Sequence, residues 1–291
     1  MKKIALFQSE HRPEAAKWVK NAALILRDLN CTVMADPIYF KDMSSEEFSF
    51  IIPLAHSEYE NQADFVISFG GDGTMLSAAR MLVNSGIPIM GVNVGKLGFL
   101  AEFSVNNLYD ALRDLVANGF RVVERTVIET YIGDKKIFAL NDLVIEKKGS
   151  SKLITVQAYS NGNFIGNYRA DGLIISTPTG STAYSLSCGG PIMSPGTSVL
   201  CLTPISPHTL TLRPLVISDT TELRLQVHSA SGFVNVVADG QMEFDLMDGG
   251  SLVIKKSATN IKLIKPLNSS YFDLLRDKLL WGTDGIQGKD L

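Results

Sequence analysis

One stretch constrains the fold more than any other. Asp64-Phe65-Val66-Ile67-Ser68-Phe69 is an apolar run that ends in Gly70-Gly71-Asp72-Gly73, passes into a helical pattern from Thr74 to Val83, and returns as a second apolar run from Ile87 to Val94. Strands that read as unbroken apolar runs are buried on both faces, and a strand, helix, strand succession pairs them in parallel. The same grammar holds upstream. Lys3 to Phe7 is an apolar β run, and Pro13 to Leu29 carries Ala15, Trp18, Val19, Ala22, Ile25, Leu26 and Leu29 at helical spacing. Downstream, Ser104 is a good N-cap for a helix through Leu108, Leu112 and Leu115, with Gly119 as the residue just past its end. Residues 1–119 are therefore expected to form a Rossmann-like α/β domain.

After Gly119 the pattern changes. Residues 120–267 hold short β-rich runs separated by turn signals, among them Ser160-Asn161-Gly162-Asn163 between two alternating strands, and no amphipathic helix. This predicts a β-rich domain, a β-sandwich, followed by one terminal helix over 268–281. Ser270 with Asp273 caps that helix, and Phe272, Leu275 and Leu279 give it a face that can pack back on either domain. A chain of 291 residues has room for two such domains. The pairs Lys135-Lys136, Lys147-Lys148 and Lys255-Lys256 read as solvated turn faces.

Composition removes whole classes of function. The net charge is −3, which argues against a general binder of nucleic acid. No apolar run approaches the ~18 residues of a membrane span, and the opening apolar stretch is cut short of a signal peptide by Gln8 to Arg12. Cys31, Cys188 and Cys201 are odd in number and widely spaced, so neither a disulfide framework nor a zinc site is expected, no residue is assigned as a metal ligand, and the compartment expected is the cytoplasm.

The glycine-aspartate turn carries the first chemical signal. Glycines between a strand and a helix N-terminus let a ligand approach the backbone, and the helix start offers N–H groups to an anion. Asp72 repels a phosphate unless a metal intervenes or a hydroxyl is what it faces. The alternative is a simple helix cap. The arrangement suits a carboxylate that orients and deprotonates a sugar hydroxyl while neighbouring amides and Mg²⁺, or another divalent cation, hold a triphosphate. Two better-known nucleotide motifs are absent: Leu76 stands where a dinucleotide fingerprint needs its third glycine, and Gly91-Val92-Asn93-Val94-Gly95-Lys96-Leu97 is not a P-loop.

The second signal is Asp171 to Pro191, a buried strand running into small hydroxylic residues with one aromatic, Tyr184. Small side chains admit a base and ribose, hydroxyls donate and accept, and Tyr184 offers a stacking face.

Together these residues resemble the NAD kinases. The resemblance covers nearly the whole chain and rests on Gly70 to Thr74, Gly91-Val92-Asn93, Gly95 to Leu100, Asn141-Asp142, Asp171 to Pro191, Pro207 to Leu210 and Arg213 to Val216. It implies transfer of the γ-phosphoryl group of ATP to the 2′-hydroxyl of the adenosine ribose of NAD, with NAD and ATP as small-molecule partners and a homo-oligomer, a tetramer or dimer. It makes Asp72 the acid/base residue, with Gly71 and Gly73 beside it. Phe99 matches a position on the adenine side, and Thr182, Ala183, Tyr184 and Ser187 match positions around the bases and phosphates. Asp171 matches a carboxylate near the nicotinamide end. Asn141 and Asp142 match a pair, usually Asn-Glu, that contacts substrate hydroxyls; here the acid is one methylene shorter. Arg169 is a candidate phosphate partner, and Gln241 follows Asp239-Gly240 in a turn that resembles the family's late polar turn. A lipid kinase that shares the glycine-aspartate turn, or a non-catalytic dinucleotide sensor, are the competing readings.

Overall fold

The computed structural model describes residues 1–8, 14–39, 48–95, 98–149 and 152–280. The chain divides into two compact units, the first made of Met1–Met81, Ile87–Val123 and the segment from Lys262, the second of Leu82–Gly86 and Glu124–Ile261.

The first unit is built on an eight-stranded sheet. Its path runs β3 (Ile52–Pro53), β2 (Thr32–Ala35), β1 (Lys3–Gln8), β4 (Phe65–Gly70), β5 (Ile89–Asn93), β20 (Ile261–Pro266) and β7 (Phe120–Arg125), with β6 (Phe103–Ser104) pairing β5. The pairings from β3 through β20 are parallel. Helices α1 (Ala15–Asp28), α2 (Tyr59–Gln62), α3 (Asp72–Met81) and α4 (Leu108–Val116) connect the strands, and α6 (Tyr271–Leu279) follows β20. Ile4, Leu6, Ile67, Phe69 and Val92 pack against Val19, Ala22, Leu26, Leu112 and Leu115 in one core.

Several boundaries differ from the sequence pattern. The expected start of the first helix at Pro13 lies outside the described residues. The third helix begins at Asp72, two residues earlier than the apolar periodicity from Thr74, because its first turn is polar. Ser104 does cap, accepting from the Asn106 amide at 3.2 Å. A short 3₁₀ turn then precedes α4, and the left-handed residue after that helix is Asn118 (φ 60°), not Gly119. Ser270 caps α6 by accepting from the Phe272 amide.

The second unit is a sandwich of two six-stranded sheets. One runs β15 (Leu215–Ser218), β14 (Val199–Ile205), β13 (Gly172–Ser176), β10 (Asp142–Lys147), β17 (Phe233–Ala238) and β18 (Met242–Met247). The other runs β12 (Asn163–Ala170), β11 (Ile154–Ser160), β16 (Leu223–His228), β19 (Ser251–Lys256), β8 (Ile128–Ile132) and β9 (Lys135–Ala139). Alternation decides what goes inside: Leu223, Leu225 and Val227 are fully buried while Arg224 and His228 between and after them are exposed. Each such Leu or Val contributes about 1.5–3 kcal/mol by leaving water. Asn161 and Gly162, both with positive φ, form the predicted hairpin turn between β11 and β12. A short α-helix, α5 (Tyr184–Ser187), is one turn long and follows a 3₁₀ turn at Gly180–Thr182 inside the hydroxyl-rich segment.

Candidate active site

In the first unit the glycine-aspartate turn sits at the carboxyl end of β4, beside β1, where the sheet order reverses from β1-β2 to β1-β4. Ligands of open α/β sheets collect at such a switch point. The Gly71 carbonyl accepts from the Thr74 and Met75 amides, so Gly71 begins the turn and Gly73 lies within the first turn of α3. Asp72 is not held as an ordinary cap. Its Oδ2 accepts from the Phe99 amide at 2.8 Å, and its Oδ1 accepts from Leu100 at 3.0 Å and Ala101 at 3.1 Å. A carboxylate has about four acceptor positions, so among the described residues three are used and one is left open. The close approach depends on Gly98: a Cβ there would lie 1.9 Å from Asp72 Oδ1. Phe99 is half-buried on this same segment.

In the second unit a cavity of about 350 Å³ is lined by Asn141, Asp142, Val144, Glu146, Ala183, Tyr184, Val237, Asp239 and Gly240. Its floor follows from strand geometry. Leu143 and Ile145 of β10 point into the sandwich, so Asp142, Val144 and Glu146 share the opposite face, and Val144 stands beside Val237 in register. Tyr184 is 42% exposed at the rim. Asp142 is only 4% exposed, and burial, followed by the nearby Asp239 carboxylate, pushes its pKa up to about 7. Burial, then Cys188, Glu146, Asp171 and Asp142, raise the Tyr184 phenol above its ordinary value.

Asp239 repeats the device seen at Asp72. Its carboxylate accepts from three consecutive amides, Leu140 at 3.0 Å, Asn141 at 2.7 Å and Asp142 at 3.2 Å. It stands in a left-handed hairpin position with Gly240 (φ 52° and 62°), which aims the carboxylate back at the start of β10. Gly180 closes the same corner, since a Cβ there would lie 2.1 Å from the Asn141 carbonyl oxygen.

The hydroxyl-rich segment splits into two populations. Thr177, Ser181 and Ser185 are buried and spend their hydroxyls on Leu140 O, on Pro178 O and on Thr203 Oγ1 respectively. Thr182, Ala183, Tyr184 and Ser187 are at least partly exposed. Of the residues singled out in the sequence, Asn141, Asp142, Ala183 and Tyr184 are brought together. Asp171 is 2.5 Å from Lys147 Nζ, so that lysine is not simply solvated. Gln241 is exposed at the hairpin after Asp239, and Arg169 belongs elsewhere, to an open hollow with Lys152, Thr155, His228 and Asp248. Glu146 and Asp239 were not singled out as site residues. The period-two series Asp142, Val144, Glu146 was the available signal for the first.

Two family models match the chain, the ATP-NAD kinase N-terminal domain over residues 4–120 and the ATP-NAD kinase C-terminal domain over residues 140–266. The chain belongs to the NAD kinase family. An NAD kinase of Trichlorobacter lovleyi is 37% identical over 97% of this chain and 99% of that protein, and one of Bacteroides fragilis is 45% identical over 76% and 78%. The crystal structure of an NAD kinase from Archaeoglobus fulgidus in complex with ATP has a TM-score of 0.77 at 27% identity, covering 96% of this chain and 99% of that one. Yeast NADH kinase complexed with NADH shares the fold, with a TM-score of 0.88 at 24% identity over 100% of this chain and 90% of that one. The expected architecture, an α/β domain and a β-rich domain, is the family's. Phosphorylation of NAD to NADP with ATP follows from membership of this NAD kinase family.

Proposed function

We propose that the γ-phosphoryl group of ATP passes to the 2′-hydroxyl of the adenosine ribose of NAD with Asp72 as the group that orients that hydroxyl and accepts its proton. The observation that carries this reading is the use of three of the Asp72 acceptor positions by fixed amides, which leaves the carboxylate immobile and one position open. A group fixed in this way is pre-organised, and positioning supplies most of the rate in phosphoryl transfer.

Phe99 would line the adenine, with Gly71 and Gly73 letting the ligand approach closely. In the second unit Asp142, Glu146 and Asp239 facing one cavity repel phosphate and accept hydroxyl and amide donors, which favours a ribose or carboxamide group there. Asn141, Thr182, Ala183, Tyr184, Ser187, Asp171 and Gln241 are proposed around the dinucleotide, while Arg169, which lines a separate hollow, is left out of that set. A lipid kinase would need an apolar acyl pocket, and this acidic lining speaks against one.

Among the described residues no three His, Cys, Asp or Glu side chains converge as ligands for a cation. Magnesium would arrive with the donor substrate, carried mainly by the ATP phosphates. A homo-oligomer, tetramer or dimer, is supported by the edge strand β15, where Leu215 and Val216 are exposed. No described helix is long and apolar enough to cross a membrane. Cytoplasmic placement is supported by three cysteines that are all free.

The deciding assay supplies purified protein with ATP, Mg²⁺ and one acceptor at a time, NAD, NADH or diacylglycerol. NADP formation from NAD is expected. Lipid phosphorylation without NADP would overturn the reading.

A further inference from the structure

The segment that Asp72 holds by its amides is held from the other side by a lysine. Lys265, near the end of β20, is 1% exposed, and its Nζ donates to the Leu100 carbonyl at 3.0 Å and the Phe99 carbonyl at 3.4 Å. The same Nζ lies 2.5 Å from Glu102 Oε1, and Glu102 is itself 7% exposed. The peptide units of Phe99 and Leu100 therefore stand between opposite charges, N–H groups toward Asp72 and C=O groups toward Lys265. That is the favourable alignment of a peptide dipole, and burial strengthens it.

A buried ion pair is weak evidence of stabilisation, because apolar residues of the same volume often do as well or better. This one is not even fully satisfied: among the described residues Glu102 Oε2 is buried with no hydrogen-bond partner. What Lys265 touches is the backbone that carries Phe99 and clamps Asp72. Its distance in sequence from the glycine-aspartate turn kept it outside any motif.

We propose that Lys265, oriented by Glu102, is a positioning residue for NAD binding: it fixes the peptide units of Phe99 and Leu100 so that the Phe99 ring and the Asp72 carboxylate hold one geometry. The proposal rests on the reading that Phe99 and Asp72 face NAD. Lys265 itself acts through the segment and touches no substrate atom.

The test compares the parent with the double variant Lys265→Met, Glu102→Gln, which removes both charges while keeping volume. Two readouts are taken on the full chain: amide hydrogen exchange at Phe99, Leu100 and Ala101, with Ile67 and Met90 as core references, and steady-state kinetics in NAD and in ATP. Exchange at the three amides is expected to accelerate about tenfold or more with the references unmoved. KM for NAD should rise about tenfold, the scale on which lost positioning acts, while KM for ATP stays within about twofold.

A purely structural pair would instead move all five amides together, or lower the melting temperature with NAD kinetics of the folded fraction unchanged, and either result overturns the proposal. So does faster exchange at the segment with an unaltered KM for NAD. Should the double variant not fold, Glu102→Gln alone must give both changes at smaller amplitude, and its failure to do so is equally decisive. A parent that forms no NADP removes the functional reading and this proposal with it, whereas an active parent with an indistinguishable variant removes this proposal alone.

Discussion

Asp72 and Asp239 do the same job in two different units, each gathering three consecutive amides of a distant segment. Asparagine cannot replace either one evenly, because its NH₂ group would face an amide that also donates. Asp72→Asn is therefore expected to destabilise the chain by about 1–3 kcal/mol, the cost of an unsatisfied buried group. Turnover should fall at least about 10²-fold if the carboxylate takes the hydroxyl proton. Thermal melting and kcat, measured on the same preparation, separate the two effects, and kcat within about threefold of the parent removes Asp72 from the chemistry. Asp142 makes a prediction of the opposite sign. Its folded pKa of about 7 lies above the ordinary 3.8, so the folded state keeps a proton that the unfolded chain has already released. Stability from this group is full below about pH 4, declines as pH rises toward 7, and is flat above. Asp142→Asn should abolish that decline and be more stable than the parent at pH 8, by up to about 1–4 kcal/mol. Chemical denaturation across pH 4–8 checks it, and parallel curves for the two proteins would refute it. Of these residues, Asp72 announced itself in the sequence because glycines surrounded it. The role of Asp239 was not legible, since a hairpin turn explains Asp-Gly completely and nothing local says that its carboxylate reaches back to residues 140–142.

At the scale of elements, the hydroxyl-rich segment shows how far pattern carries. Its strand, Leu173 to Ile175, was plain from apolarity, but no periodicity distinguishes the hydroxyls that knit the turn from those left exposed. That division comes from what each hydroxyl meets: Thr177 the residue before Asn141, Ser181 its own turn, and Ser185 strand β14. Gly180→Ala is accordingly expected to cost about 1–3 kcal/mol, because the Asn141 backbone must move to admit a methyl. Tyr184→Ala should cost under about 1 kcal/mol in stability, the side chain being exposed, yet weaken NAD binding by about 1–3 kcal/mol if the ring stacks on a base. Melting curves paired with isothermal titration distinguish the two variants. A Tyr184→Ala protein that melts much earlier but binds NAD normally would show the ring to be structural.

At the scale of the whole molecule, β20 is the feature that sequence could not place. Ile261 to Pro266 has the alternating look of the strands before it, and strand pattern says that a residue faces a core without saying which sheet supplies the neighbour. In the structure β20 runs parallel to β5 and stands between β5 and β7. Ile264 packs in the α/β core and Lys265 reaches the Gly98–Ala101 segment. A chain ending at Ile261 is therefore expected to lose the solubility and native exchange protection of the α/β unit, measurable by sedimentation and by exchange at Ile67 and Met90.

The position of β20 also sets an order of events during synthesis. The α/β sheet needs a strand that the ribosome delivers only after residues 124–261 have been made, which at about 5–20 residues per second is roughly seven to thirty seconds later. Throughout that interval Ile89 and Met90 of β5 lack their β20 partners, while the strands of the sandwich are still being made. When β20 emerges, the strands of the second unit have preceded it and the first unit is still unfinished; β20 then fills the sheet between β5 and β7 and brings Lys265 to the Gly98–Ala101 segment. On the proposal that Lys265 positions the segment clamped by Asp72, activity arrives only when β20 is in place.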